Sequence, residues 1–132
     1  MLQQDYILRL IREFMAALAK ALEKKEFTAR REELRQLYNQ YVGPYSFYFT
    51  APIDDVFDAI GQEEEQKRLP KLEMLAELYY AEADLVSLPD RDRLLQNAFT
   101  IFNYVDRYGG TYSMDRLQKI QNIRKKLESE GS

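Results

Sequence analysis

Carboxylates are the one catalytic group this chain holds in quantity: it has 22 Asp and Glu, no His and no Cys in 132 residues. Glu73 and Glu77 lie one helical turn apart, with Glu82 and Asp84 further along the same segment. Acids so spaced could share a divalent cation or divide general-acid and general-base work between them. A dinuclear site inside a helical bundle, however, draws a Glu-x-x-His pair from facing helices, and no imidazole is available. A magnesium site built on adjacent glutamates would start at Glu63-Glu64-Glu65, but the Glu-x-x-Asp pair that should complete it does not occur. These acids therefore read first as a solvated helix face. The missing cysteine also removes thiolate catalysis, disulfides and Cys-based zinc.

Other chemistries fare similarly. Gly109-Gly110 lacks the Gly-x-x-x-x-Gly-Lys context of a phosphate cradle and reads as a helix stop. Ser and Thr residues lie near turns with no base to activate them. Arg116, Lys119, Arg124, Lys125 and Lys126 form a basic cluster near the C-terminus, where cations complement a helix dipole. The net charge of −3 argues against a nucleic-acid footprint. No cofactor or metal is expected.

Aromatic side chains are the remaining currency. "GPYSFYFTAP", residues 43–52, sets Tyr45, Phe47, Tyr48 and Phe49 between two prolines. Read as an extended loop, its alternation puts Tyr45, Phe47 and Phe49 on one side and Tyr48 on the other. On that reading Phe47 and Phe49 plug the end of a helical hairpin, and Tyr48 stays at the surface. Tyr79 points inward, while Tyr80 lines a groove beside Tyr104 and Tyr108.

The elements that must position these residues are helical. Tyr6, Ile7, Leu10, Ile11, Phe14, Leu18, Ala21 and Leu22 recur at three- and four-residue steps, which predicts a core helix over about the first 22 residues. A second helix runs from Thr28, as N-cap, to Tyr41 and stops at Gly43-Pro44. A short one spans Pro52 to Ile60, with Asp54 and Asp55 near its N-terminus. The fourth covers Glu63 to Val86, with Pro70 interrupting its start and a kink or a true beginning near Leu69. Its two adjacent apolar stripes mark a central helix. Leu94, Leu95, Ala98, Ile101, Phe102 and Val105 carry the fifth, and Ser113 caps a sixth. A frayed tail is expected at 128–132. The whole is one all-α domain, a compact bundle of five to six helices with a radius of gyration of about 14 Å. The longest uncharged apolar run, Phe14 to Ala19, is too short for a membrane span, and the expectation is a cytoplasmic protein with no membrane partner.

Two resemblances follow from these residues. Leu75-Ala76 with Tyr79, then Ala98, Phe102 and Val105, resemble the two helices of a tetratricopeptide-type hairpin in the second half. Leu72 stands where that family has Trp, and Gly110 where it has Pro. Separately, Gln3, Asp5, Tyr6 and Ile7 at the start, "LAELYYAEADL" in the centre, and Ser113, Arg116, Lys119 and Ile120 near the end resemble an uncharacterised family of short bacterial helical proteins. That resemblance implies a similar tetratricopeptide-like bundle and no particular activity.

The sequence thus points to a non-enzymatic module that binds a protein or peptide in a groove lined by Tyr80, Tyr104, Tyr108 and Tyr48. A homodimer with a structural or regulatory role is the alternative, formed through the aromatic loop or the first helix. A carboxylate-based, metal-dependent hydrolase stands third.

Overall fold

The structure is a computed structural model that describes residues 2–131, with side chains described for 5–129. Among these residues there are seven α-helices and no strand: α1 Leu2–Leu22, α2 Phe27–Leu37, α3 Tyr45–Tyr48, α4 Ile53–Gly61, α5 Glu65–Ala83, α6 Asp90–Tyr108 and α7 Met114–Gly131. A π-helical turn, Tyr38–Val42, continues α2. The all-helical expectation holds, with more helices than the five to six foreseen. The addition is α3, which lies in the stretch expected to be an extended loop.

The helix-helix register follows from side-chain pairs. Tyr79 of α5 and Asn97 of α6 both reach the 48–51 loop, on the carbonyls of Tyr48 and Ala51. Glu73 of α5 and Asp106 of α6 both face Arg116. Low numbers on α5 therefore meet high numbers on α6, and the two run antiparallel. Along α7, Arg116, Lys119, Asn122 and Lys126 meet Glu73, Glu77, Tyr80 and Asp84 in rising order, so α5 and α7 are parallel. α5 is central, as its wide apolar arc implies. Leu72, Leu75, Leu78 and Tyr79 are buried on it, and the small Ala76, Ala83 and Ala98 let α5 and α6 approach closely. Truncating a fully enclosed side chain such as Leu78 or Leu94 to Ala costs about 2–5 kcal/mol in such a core.

Element ends depart from expectation in physically readable ways. α2 begins at Phe27 after Glu26, so Thr28 is inside the helix and is not its cap. α5 begins at Glu65, and Pro70 sits inside it without marking its start. Ser113 does cap α7: its hydroxyl accepts the Arg116 N–H at 3.1 Å. At the other end α7 is helical to Gly131, and Ser132 lies outside the described residues.

The aromatic stretch folds as a helical turn because Pro44, at its N-cap, accepts the N–H groups of Phe47 and Tyr48, both at 3.1 Å. The Asn39 side-chain oxygen accepts the Tyr45 N–H at 2.8 Å. Helical spacing replaces alternation, and the facing reverses. Tyr48, expected at the surface, is 6% exposed, whereas Phe47, expected as a plug, is 39% exposed. Gly43 makes room for this: a Cβ there would lie 2.8 Å from the Tyr48 ring. Gly110, with φ of 73°, supplies the left-handed step between α6 and α7.

Candidate functional site

The four carboxylates of α5 belong to two opposite faces, and neither is the solvated row that spacing alone suggests. On one face Glu82 is fully buried. Its Oε1 accepts the Tyr38 hydroxyl at 2.8 Å, and its Oε2 accepts the Tyr45 hydroxyl at 2.5 Å. Arg31 reaches the same Oε2 at 3.3 Å and donates to the Tyr45 hydroxyl oxygen at 2.9 Å. Both oxygens of the buried charge thus have a donor, the condition under which a buried carboxylate is tolerated. Burial first, then Glu82, pushes the Tyr45 phenol up to about 12, and the same causes hold the Tyr38 phenol well above its usual value. The neighbouring rings complete the seal: Tyr45 stacks on Phe49 at 5.3 Å, and Phe49 lies between the guanidiniums of Arg31 and Arg93. The segment Tyr45–Phe49 is therefore a plug that ties three helices together.

On the opposite face of α5 the acids meet α7. Glu77, itself buried, pairs with Lys119 at 2.6 Å, and Asp84 pairs with Lys126 at 3.2 Å. Arg116 is 3% exposed and bonds Asp106 at 2.8 Å, the Thr111 carbonyl at 2.5 Å and, more distantly, Glu73 at 3.9 Å. Burial raises the Glu77 carboxyl above the usual range even though Lys119 pulls it down, and burial likewise raises Glu73 against Arg116. Between these pairs Tyr80 carries no charge but anchors a polar step: Asn122 donates to its hydroxyl at 3.2 Å. Lys119 and Lys126 approach its ring at 5.7 and 5.2 Å.

This second face is the floor of a groove. Three clefts of about 380, 130 and 530 Å³ run along α5, and Met15 of α1 lines all three. Neighbouring clefts also share Glu77, or Glu73 and Ile11, so they follow one another along α5 as a broken channel. The α1 wall is apolar: Leu8, Ile11, Met15, Leu18 and Leu22 follow a strict three-four spacing. Leu8 and Leu22 remain 53% and 40% exposed. The opposite wall is α7 with Arg116 and Lys119.

The four tyrosines expected to share one groove are separated. Tyr80 does line this channel. Tyr48 is buried behind the plug, which removes it from any docking surface. Tyr104 and Tyr108, 39% and 59% exposed, pack on each other at 4.8 Å, and Tyr104 also packs on Phe57 of α4 at 5.1 Å. The ring partner of Tyr80 is instead Phe102. The expected groove does not draw on the α1 stripe, Leu8 and Met15 form no part of any expectation, and Glu82 is expected on a solvated face. Both carried a signal: the stripe has heptad spacing, and Glu82 continues the buried row Leu75, Leu78 at the next turn.

No group of three acids is placed to hold a metal ion among the described residues. None of the described helices is long and apolar enough to cross a membrane. No protein-family model, curated protein or solved structure matches the chain.

Proposed function

We propose that the protein is a non-enzymatic interaction module whose α1–α5–α7 channel takes an amphipathic helix from a partner protein. One observation carries this reading: α1 presents an apolar stripe at heptad spacing to a channel whose other wall is polar. From Leu8 to Leu22 the stripe is about 21 Å long, the reach of about four helical turns. A helix laid there would set leucine-sized side chains against Ile11 and Met15 and its polar edge against Lys119 and Asp84, the helix-in-groove mode of recognition. The parallel α5 and α7 with antiparallel α6 between them support the tetratricopeptide-like reading of this half, in which such a channel is the working surface.

A photo-crosslinking side chain at Met15, compared with one at Thr50, tests the proposal in cells that express the protein. The Met15 probe is expected to capture an apolar helical segment of another protein, with capture lost in Leu8→Glu/Leu22→Glu. Capture at Thr50 alone overturns the reading. Heptad spacing is also self-complementary, which supports a second reading: two copies joined through α1. In that case the Met15 probe joins the chain to itself, and native mass spectrometry shows a concentration-dependent dimer that Leu8→Glu/Leu22→Glu dissolves.

A further inference from the structure

Away from the channel, Phe57, Tyr104 and Tyr108 form a continuous aromatic ridge across α4 and α6. Ring centroids are 5.1 and 4.8 Å apart, with tilts of 57° and 48°. The ridge already holds one guanidinium, since Arg107 sits 5.7 Å from the Tyr108 ring centroid. On α4, Asp54, Asp55 and Asp58 are all exposed and without an ion pair among the described residues, Asp55 on the side away from Phe57, and there is no cation at all between Ile53 and Gly61. Asp54 lies one turn before Phe57 on the same side of α4. Gly61 lies one turn after it, with open space where a Cβ would stand. The two walls thus differ in kind: tyrosine faces with negative π-density, and uncompensated carboxylates.

From this arrangement we infer that the α4–α6 ridge binds a short cationic peptide segment of a partner, with arginine preferred over lysine. A guanidinium is planar, stacks on tyrosine and donates to a carboxylate along its edge, so a segment carrying several of them can meet both the rings and the acids. An ammonium is more strongly hydrated and satisfies only the charge. The neutral channel cannot offer this match, because Glu73, Glu77 and Asp84 are each faced by an α7 cation. The two surfaces are therefore independent.

The test is fluorescence anisotropy with a labelled oligo-arginine peptide and an oligo-lysine peptide of the same length, at low and physiological salt. The expected result is saturable binding of oligo-arginine, several-fold tighter than oligo-lysine at both salt levels. Tyr108→Ala should weaken it about tenfold, in the range of a desolvated cation–π contact, and Tyr108→Phe should leave it largely intact. Asp54→Asn/Asp58→Asn should weaken it further and flatten its salt dependence, while Glu23→Gln/Glu26→Gln, which removes the same charge elsewhere, should not. Equal loss in that control pair overturns the proposal, because attraction to a general acidic surface then explains the binding. Absence of saturable binding, or equal affinity for both peptides with no response to Tyr108→Ala, overturns it as well. Tyr108 is largely exposed, so retained helical circular dichroism separates a lost contact from a lost fold.

Discussion

On one face of α5, Glu82 is sealed beneath Tyr38, Tyr45 and Arg31; on the opposite face, Glu73, Glu77 and Asp84 pair with α7 along an open channel. The side-chain type is the same and the helix is the same. Partner count and solvent access differ. Glu82 is shared by two tyrosine hydroxyls and a guanidinium drawn from distant parts of the chain, so its loss strands several donors at once. Glu77 has one cation, and that cation keeps Asp115 at 2.8 Å when Glu77 is removed. A carboxylate used as a hub locks the fold. Carboxylates used in pairs hold two helices at a distance and leave their edges to other molecules.

That contrast sets the order of expected effects. Glu82→Gln should cost about 3 kcal/mol, because the buried Tyr38 hydroxyl, the Tyr45 hydroxyl and the part-exposed Arg31 all lose a charged acceptor. Denaturant titration would read it as a lower midpoint at an unchanged slope. Tyr38→Phe and Tyr45→Phe should each cost about 1–2 kcal/mol, since each removes one hydrogen bond to a charged acceptor. High pH should attack the same hub. Tyr45 ionises in the folded protein near 12, above the ordinary value of 10, so its contribution is complete below 10 and is lost as pH rises from 10 towards 12. Phenolate absorbance and circular dichroism followed together should show late tyrosine ionisation coupled to unfolding. Glu77→Gln should cost less than about 1 kcal/mol, because Lys119 keeps Asp115 as its anion and a glutamine oxygen still accepts from it. The smallest effect, within about 0.5 kcal/mol, belongs to Leu8→Glu/Leu22→Glu, which touches exposed positions and should abolish partner capture without loosening the fold.

Much of this architecture is legible in the order of residue types alone. Apolar spacing marks the long helices, Gly43-Pro44 and Gly109-Gly110 mark the stops, and Ser113 marks its cap. The double stripe on α5 identifies it as the central helix. The plug is harder to read because Tyr45–Phe49 is only five residues long. Such a window fits period two nearly as well as a helical turn, and the choice turns on hydrogen bonds to Asn39 and Pro44. Tyr48 goes inward because Gly43 leaves a gap for its ring, a contact that residue type alone does not announce. The buried acids are the least legible. Glu82 finds Tyr38, Tyr45 and Arg31 at separations of 44, 37 and 51 residues, beyond any local pattern. The same distance hides the match between α5 and α7, although Glu73, Glu77, Tyr80, Asp84 and Arg116, Lys119, Asn122, Lys126 share a three-four rhythm that facing helices require.

The most direct measurement is a side-by-side urea denaturation of Glu82→Gln and Glu77→Gln against the parent protein at neutral pH. A hub on one face and an exchangeable pair on the other predict a loss of about 3 kcal/mol for the first and less than about 1 kcal/mol for the second. Equal losses, or a larger loss for Glu77→Gln, would contradict the division of α5 into a locked face and an available one.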